Sequence, residues 1–299
     1  MTGVTFKQLR YFDALARHQH FGRAAEACAI SQPALSLQIK ELETAAGVLL
    51  VERGARIVRL TPIGEDFVAK AREVLLAVDE LEDLMRASQG PFAGRFRLGV
   101  IPTVAPYLLP ATITALTNRF PDIDLELRES VTKSLVADLL ESRLDAAIVA
   151  LPISEPALRE FALFQEDFVL VRPQADAGKP IPSPQMLRSM RLLLLEEGHC
   201  FRDQALSFCD ITKTQPRQLM EGSSLSTLVQ MVGSGMGVTL IPEMAVPLET
   251  RSAQVSVATF DPPRPNRTIG MVWRKSNPLA DQLMDVGAIV RGVGQRMTG

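Results

Sequence analysis

The sequence is poor in cysteine and contains no long apolar run. Its 299 residues include three cysteines and one tryptophan, and 46% are hydrophobic while 22% are charged. That balance is typical of a globular protein rather than a disordered or fibrous one. The aliphatic runs, such as 192–195, are far shorter than the roughly 20 residues that cross a bilayer. We therefore expect no contact with a membrane.

The start of the chain lacks a basic segment followed by an apolar one, so it does not resemble a secretory signal. We therefore expect a cytoplasmic protein. Thiols stay reduced in that compartment, where a cysteine pair is more often catalytic, metal-binding or redox-sensing than a permanent crosslink. The net charge of −2 favours neither presence nor absence of a nucleic-acid partner.

Three short helices are predicted within residues 5–46. The third begins at Ser31, whose side chain can cap the free backbone N–H groups, with Pro33 in the first turn. Gly47 is placed to end it. Leu35, Ile39 and Leu42 share one face and predict a buried stripe. The opposite, exposed face is predicted to carry Gln32, Pro33, Ser36, Lys40 and Glu43, with Leu37 toward the same side.

A basic hairpin is predicted after these helices. Arg53, Arg56 and Arg59 recur at three-residue spacing around Gly54. Three helices followed by such a hairpin are typical of a winged helix-turn-helix, whose third helix enters the major groove while the wing contacts phosphates. There Gln32 could bond an adenine edge. A three-helix packing unit with no DNA role is the alternative.

A long helix is predicted from Thr61 and Pro62, a cap and a first helical residue. Its apolar residues are spaced alternately four and three apart, as in a heptad seam. They are Phe67, Ala71, Val74, Val78, Leu81 and Met85. So narrow a stripe favours a partner helix, with packing against the chain's own core as the alternative.

Strands and helices alternate beyond the break "SQGPFAG" at 88–94. This pattern predicts a mostly parallel α/β domain, built as one large sheet or as two lobes. The predicted strands are 95–101, 123–129, 145–150, 167–172, 191–195, 217–221, 237–242, 254–260 and 267–273. The predicted helices are 104–118, 132–142, 224–233 and 277–296.

Cys200 and Cys209 stand nine residues apart in "EEGHCFRDQALSFC". A helix beginning near Cys200, together with His199 and Arg202, would favour the thiolate there. Within one helix the two Cα atoms would be roughly 13 to 14 Å apart, whereas a disulfide needs about 4.4 to 6.8 Å. A bond between them would therefore refold the segment, which is the form of a redox switch.

Two other interpretations of this pair remain open. The thiols could be buried and inert, as small core residues often are. A zinc site formed by His199, Cys200 and Cys209 lacks an obvious fourth ligand. The other two histidines, His18 and His20, lie in the predicted winged helix-turn-helix, which we call the head. Cys28, on the second helix, is expected to be a core residue, and we expect neither a metal nor a cofactor.

Residues 21–64, "FGRAAEACAISQPALSLQIKELETAAGVLLVERGARIVRLTPIG", resemble the amino-terminal domain of the LysR-type transcriptional regulators. "IPTVAPYLLP", "LEEGHCFRDQALSFC" and "NRTIGMVWR" resemble the peroxide-sensing activators of that family. The resemblance implies that Gln32, Pro33 and Ser36 face bases and that Ser31, Lys40, Arg53 and Arg56 face phosphates. Leu37 departs from the polar residue common in the family, so the resemblance does not fix the base preference there.

The resemblance also implies a redox mechanism. Cys200 would be the thiol that hydrogen peroxide oxidises to a sulfenic acid, and Cys209 the thiol that resolves it as a disulfide. Thr103, Thr132, His199, Arg202 and Arg267 would surround the peroxide and the thiolate. The implied partners are operator DNA, hydrogen peroxide, further copies of the chain in a dimer of dimers, RNA polymerase, and glutathione with glutaredoxin as reductants.

The domains expected on this basis are a winged helix-turn-helix at 1–61, a linker and dimerisation helix at 62–90, and a regulatory domain at 91–299. The last would have a periplasmic-binding-protein-like fold, with lobe I at 91–166 and 268–299 and lobe II at 167–267. A regulator that binds a small molecule between the lobes is the first alternative. A thiol peroxidase is the second, although a dedicated DNA-binding head argues against it.

Overall fold

A computed structural model describes residues 3–52, 58–87, 94–187, 189–208 and 220–298. The chain divides into two compact units, Met1–Leu84 and Met85–Gly299. Arg53, Arg56 and Cys209 lie outside the described residues. Within the described part of the chain, no helix is both long and apolar enough to cross a membrane.

The first unit contains three short helices and most of a long one. They are α1 (Phe6–His18), α2 (Phe21–Ala27), α3 (Gln32–Ala46) and α4 (Pro62–Ala87). The predicted ends of α3 are confirmed, because Ser31 accepts a hydrogen bond from the Ala34 amide at 3.4 Å. Gly47 follows the helix with φ 71°, in the left-handed region that favours glycine.

The core of this unit forms where α1, α2, α3 and the start of α4 meet. The predicted stripe of α3 is confirmed, since Leu35, Ile39 and Leu42 are all buried. From α4, the Phe67 ring meets the Phe12 ring edge to face, with centroids 5.6 Å apart. The head therefore uses the first turns of α4 to close its own core.

Glu43 corrects one expectation about α3. It was expected on the exposed face, yet it is buried. Its Oε1 accepts hydrogen bonds from the amides of Leu50 and Val51 at 2.8 and 3.1 Å. The physical reason is that the chain turns back after Gly47, and the carboxylate satisfies two amides that would otherwise be buried without partners.

The base of the predicted hairpin lies within the described residues. Val51 and Leu60 form an antiparallel bridge. The Glu52 amide donates to the Arg59 carbonyl at 2.9 Å. The hairpin tip, residues 53–57, lies outside the described residues. The antiparallel pairing at its base agrees with a wing.

The second unit alternates strands and helices. Its strands are β1 (Gly94–Val100), β2 (Ile123–Glu129), β3 (Ala146–Leu151), β4 (Leu158–Pro173), β5 (Leu192–Leu195), β6 (Met220–Gly222), β7 (Val238–Pro242), β8 (Val255–Thr259) and β9 (Asn266–Arg274). Its helices are α5 (Ala105–Arg119), α6 (Thr132–Leu140), α7 (Pro184–Leu187), α8 (Cys200–Phe208), α9 (Leu225–Gly233), α10 (Val246–Glu249) and α11 (Ala280–Thr298).

The strands join in the order β2-β1-β3-β9-β4-β7-β5-β6, with β8 also paired to β4. The expectation of a mostly parallel sheet is wrong. The outer pairs β1/β2, β1/β3, β5/β6 and β5/β7 are parallel, but β4 and β9 run antiparallel to each other and to every other partner. These two strands return along the sheet between its two parallel parts, giving a mixed sheet.

Strand β4 passes from one half of the sheet to the other. It pairs with β9 as far as Asp167, and from Phe168 onward it pairs with β7 and β8. The prediction of a strand at 167–172 therefore found only its second half. Its first half was missed because a bulge between Ala162 and Phe164 interrupts the alternation on which strand prediction depends. The second unit is thus a two-lobed α/β fold, while the exact predicted lobe limits stay a prediction.

Candidate functional site

Cys200 lies at the amino end of α8, directly after a sharp turn. Strand β5 ends at Leu195, and Gly198 has φ 98°, a conformation that favours glycine. Cys200 is a half-buried free thiol and the first residue of the helix. A negative charge at that position would face the positive end of the helix dipole.

A narrow pocket lies in front of this thiol. Its lining residues are Ile101, Pro102, Thr103, Val131, Thr132, His199, Cys200 and Phe201. They come from the segments that follow β1, β2 and β5, three strands that end at this crevice. Ligands of α/β folds bind outside the carboxyl ends of strands. Of the residues predicted around the peroxide, the structure brings Thr103, Thr132 and His199 together with Cys200.

Thr103 and Thr132 are the two hydroxyl-bearing residues among those that line this pocket. Thr103 is buried, and its Oγ1 accepts a hydrogen bond from Nη1 of Arg267 at 2.8 Å. A hydroxyl that accepts in this way keeps its own proton for donation. The Thr132 Oγ1 is buried and has no hydrogen-bond partner among the described residues. In this structure the pocket leaves no room for a water-sized molecule, so a small polar molecule can satisfy these groups only after the pocket opens.

Arg267 acts on the pocket through Thr103 and is itself absent from the lining. Its Nη2 donates to the Thr103 carbonyl oxygen at 3.0 Å, and its Nε donates to Oε2 of Glu166 at 2.8 Å. The side chains of Arg267 and Glu166 are both 0% exposed. Burial raises the pKa of Glu166, and the adjacent Arg267 opposes that shift. The pair fixes the orientation of the guanidinium toward Thr103.

Arg202 is the second predicted pocket residue that the structure does not place in the lining. Its Nη1 donates to the Leu195 carbonyl oxygen at 2.8 Å and lies 2.7 Å from Oε1 of Glu221. These contacts direct the guanidinium to strands β5 and β6. The expectation that Arg202 stands beside the thiol therefore has no contact among the described residues to support it.

His199 is half-buried beside the pocket. Burial lowers its pKa, and the negative charges of Glu196 and Glu129 oppose that shift. Because the ordinary value is 6.5, a lowered pKa leaves the ring mainly neutral near pH 7. A neutral imidazole offers one donor and one acceptor nitrogen to a bound molecule.

Sequence reasoning missed the partners of the buried polar groups. Glu166 lies in the half of β4 that was not predicted. Tyr107 donates to Oε1 of Glu249 at 2.6 Å, and Ser226 donates to the other carboxylate oxygen. Burial and the hydrogen bond to Glu249 raise the pKa of Tyr107. The Glu166–Arg267 pair joins residues 101 positions apart in sequence, and the Tyr107–Glu249 pair joins residues 142 positions apart. No local sequence pattern predicts such contacts.

The amino-terminal end of α3 presents the residues predicted to read DNA. Those at the described positions are all exposed: Ser31, Gln32, Pro33, Ser36, Leu37 and Lys40. Leu37 is 55% exposed. The face of α3 that was predicted to read DNA is therefore open to solvent.

The predicted seam of α4 divides into two parts. Phe67 packs against the core of the head, Ala71 is buried, and Val78 is half-buried. Val74, Leu81 and Met85 are 44%, 59% and 59% exposed. Among the described seam residues, these three are therefore the most exposed.

The remaining cysteine lies apart from this site. Cys28 is half-buried against the core of the head, and burial, followed by the charge of Asp13, raises the pKa of its thiol. Among the described residues, no group of three or more His, Cys, Asp or Glu side chains could hold a metal ion.

Both parts of the chain match known families. Residues 6–65 match the family described as "Bacterial regulatory helix-turn-helix protein, lysR family", and residues 89–292 match "LysR substrate binding domain".

Two relatives align along nearly the whole of this chain. A "Probable hydrogen peroxide-inducible genes activator" from Streptomyces viridosporus is 43% identical over 288 residues, covering 95% of this chain and 92% of the relative. The "DNA-binding transcriptional dual regulator OxyR" of Escherichia coli K12 is 39% identical over 298 residues, covering 99% and 97%.

Two solved structures of OxyR proteins are similar to this chain over nearly its whole length. A full-length OxyR variant from Pseudomonas aeruginosa superposes with a TM-score of 0.74 at 38% identity, covering 97% of this chain and 96% of that one. A mutant OxyR from Corynebacterium glutamicum with hydrogen peroxide bound gives 0.67 at 34% identity, covering 98% and 94%.

Proposed function

The chain belongs to the LysR family of bacterial transcriptional regulators, and we propose that it senses hydrogen peroxide through Cys200 and Cys209. The observation that carries this proposal is the pocket that joins a free thiol at a helix amino terminus to Thr103, Thr132 and His199. The relatives named as hydrogen peroxide-inducible activators and as OxyR support it.

The first step is oxidation of Cys200. Its thiolate attacks one peroxide oxygen, so that an S–O bond forms while the O–O bond breaks. The departing hydroxide takes up a proton and leaves as water. The Thr103 hydroxyl, whose acceptor position Arg267 occupies, donates a hydrogen bond to the peroxide. Thr132 and the neutral ring of His199 complete its binding.

The second step records the oxidation as a disulfide. The Cys209 sulfur attacks the sulfur of the Cys200 sulfenic acid, an S–S bond forms and the S–O bond breaks. The hydroxide takes the thiol proton and leaves as a second water. In sum, two thiols lose two electrons and two protons to one peroxide. Glutathione with glutaredoxin is the proposed reductant that restores the thiols.

The first unit is the proposed DNA reader. Gln32, Pro33 and Ser36 face bases, while Ser31 and Lys40 face phosphates. Arg53 and Arg56 are assigned to phosphates from the sequence alone. The exposure of the described members of this set supports the proposal.

The protein acts as a homo-oligomer in this account. The exposed side chains of Val74, Leu81 and Met85 meet a second copy along α4, with Phe67 and Val78 at the margin of that seam. Two such dimers form a tetramer on operator DNA. Disulfide formation changes the packing of the regulatory domains and so the contact with RNA polymerase. The proposed location is the cytoplasm, where peroxide and reductants meet the promoters.

Mapping peptides from the peroxide-treated full chain tests the sensor directly. We expect one Cys200–Cys209 link, formed with one equivalent of peroxide and absent in Cys200→Ser. Cys28→Ser is the matched control, because that thiol lies in the head, and its response to peroxide should equal that of the wild type. Continuous consumption of peroxide with a supplied thiol would instead indicate a peroxidase, and an undiminished response in Cys200→Ser would refute the proposal.

A small-molecule effector is the second candidate function. One observation favours it: α6 begins at Thr132 without a side-chain cap, and the Thr132 hydroxyl is buried without a partner among the described residues. A free helix amino terminus binds anions. Thermal stabilisation by an anionic metabolite, without any sensitivity to peroxide, would support this function over the redox one.

A further inference from the structure

Helix α8 packs on the core of the second unit and makes specific contacts at both of its ends. At its start, the Phe201 ring meets the Phe168 ring edge to face, with centroids 4.8 Å apart. At its end, the Phe208 ring meets the Phe260 ring at 5.1 Å. Arg202 adds a polar contact within the first turn. The helix is thus anchored at both ends, and the Arg202–Glu221 contact is a salt bridge.

The Arg202 anchor joins the helix to two strands at once. Its Nη1 donates to the Leu195 carbonyl oxygen at the end of β5 and pairs with Glu221 in β6. Those strands are neighbours, since Leu194 pairs with Glu221. The Arg202 side chain is 11% exposed and the Glu221 side chain 46%. The pair is therefore partly shielded from water and stronger than a fully exposed one.

The helical form of α8 opposes the proposed disulfide. Cys200 and Phe208 begin and end the same helix, which separates their Cα atoms by about 12 Å. The next residue adds at most about 3.8 Å of reach, whereas a disulfide needs about 4.4 to 6.8 Å. The helix must unwind before the link closes, and every contact made only by the helix resists closure.

We propose that Arg202 and Glu221 form a latch on α8 that sets the redox potential of the Cys200–Cys209 pair and the rate of disulfide closure. This inference rests on the proposed function. In this proposal Arg202 positions helix α8, whereas the resemblance had implied that Arg202 stands beside the Cys200 thiolate. The latch holds only the dithiol form, because closure unwinds the helix that carries Arg202.

Weakening the latch should favour the disulfide. Glu221→Gln removes the ionic partner and leaves the bond to Leu195. We expect the equilibrium constant for disulfide formation to rise about fivefold, the effect of losing a partly exposed charged hydrogen bond. By the two-electron relation, the reduction potential becomes about 20 mV more negative. Disulfide closure should be faster, while sulfenic acid formation is unchanged because Glu221 does not line the pocket.

The experiment uses the full chain in wild-type, Glu221→Gln, Arg202→Met and doubly substituted forms. Each is equilibrated in dithiothreitol redox buffers, quenched with acid and alkylated, and the Cys200–Cys209 peptide is quantified by mass spectrometry. Trapping with a dione reagent after a peroxide pulse separates sulfenic acid formation from closure. Glu126→Gln is the control, since it makes the same change in the Arg95–Glu126 pair at 3.5 Å, on strands β1 and β2.

Coupling between the substitutions identifies the latch. If Arg202 and Glu221 act through one contact, the double substitution should shift the potential no further than Arg202→Met alone. Equal potentials and equal closure rates for wild type, Glu221→Gln and Arg202→Met would overturn the inference, as would an equal shift in Glu126→Gln. A wild-type chain that never forms the link overturns the proposed function as well, so the two failures are distinguishable.

Discussion

The replacement of Tyr107 by phenylalanine removes one hydroxyl from a buried junction. That hydroxyl donates to Oε1 of Glu249 at 2.6 Å, and both residues are 8% exposed. Tyr107 belongs to α5 and Glu249 ends α10, so the bond joins helices from opposite halves of the sheet. The junction should therefore contribute to the stability of the whole second unit.

The expected magnitude follows from the charge of the acceptor. A hydrogen bond to a charged group contributes about 1.5–3 kcal/mol. We expect Tyr107→Phe to lower the free energy of unfolding by about 2 kcal/mol, because Ser226 still donates to the other carboxylate oxygen and limits the loss. For a unit of this size, that corresponds to a fall of about 4–8 °C in Tm.

The single tryptophan makes the measurement specific. Trp273 lies in β9 and is 0% exposed, so its fluorescence reports unfolding of the second unit. Tyr11→Phe is the matched control: Tyr11 is 9% exposed in the other unit, and its hydroxyl makes no hydrogen bond within the described residues. We expect that control to leave the tryptophan transition unchanged.

A pH series adds an independent check. The pKa of Tyr107 is raised in the fold, so its stabilisation is complete below about pH 10, the ordinary tyrosine value. Above that pH the unfolded chain loses the phenolic proton first, and stability falls. The wild type should therefore lose stability more steeply above pH 10 than Tyr107→Phe does. A Tm within 1 °C of the wild type, or parallel pH curves, would refute this account of the junction.

Three further predictions concern the first unit and α4. Glu43→Ala leaves two buried amides without an acceptor. We therefore expect the free energy of unfolding of the head, measured in urea, to fall by about 2 kcal/mol and DNA binding to weaken. An unchanged free energy of unfolding would contradict this role of Glu43. Leu81→Glu places a charge on the exposed seam and should shift sedimentation toward smaller species, whereas Lys70→Glu, a control outside the seam, should not. Gln32→Ala should cost about 1–3 kcal/mol of DNA-binding free energy and relax the sequence preference at one base pair. Lys40→Ala should weaken binding to all DNA sequences alike and reduce the slope of log affinity against log salt concentration by about one. Equal behaviour of the two variants in a binding titration would exclude these roles.

The sequence predicted the local features of the head well. The ends of α3 depend on Ser31 and Gly47, whose capping preferences are intrinsic to those residues. Its buried stripe follows from the helical period alone. Glu43 was misplaced because its position depends on where the chain returns after the helix, which the period does not encode.

The regulatory unit was predictable in its elements but not in its pairing. The apolar runs at 146–151 and 192–195 predict strands, but they do not indicate which other strands these pair with. The antiparallel centre depends on β4 and β9, whose contacts join distant parts of the sequence. The same holds for the site: the local sequence singled out Cys200 and the resemblance suggested Thr103 and Thr132. Glu166 and Glu221 became visible only through the contacts they make.

The most direct test of the central claim is a footprint of the full chain on DNA with and without peroxide. The DNA would be an operator selected from a random pool by the reduced protein. We predict that wild type and Cys200→Ser protect the same DNA when reduced, that peroxide changes the protected length only for the wild type, and that dithiothreitol reverses the change. A wild-type footprint that peroxide leaves unaltered, from protein shown to carry the Cys200–Cys209 link, would contradict the account.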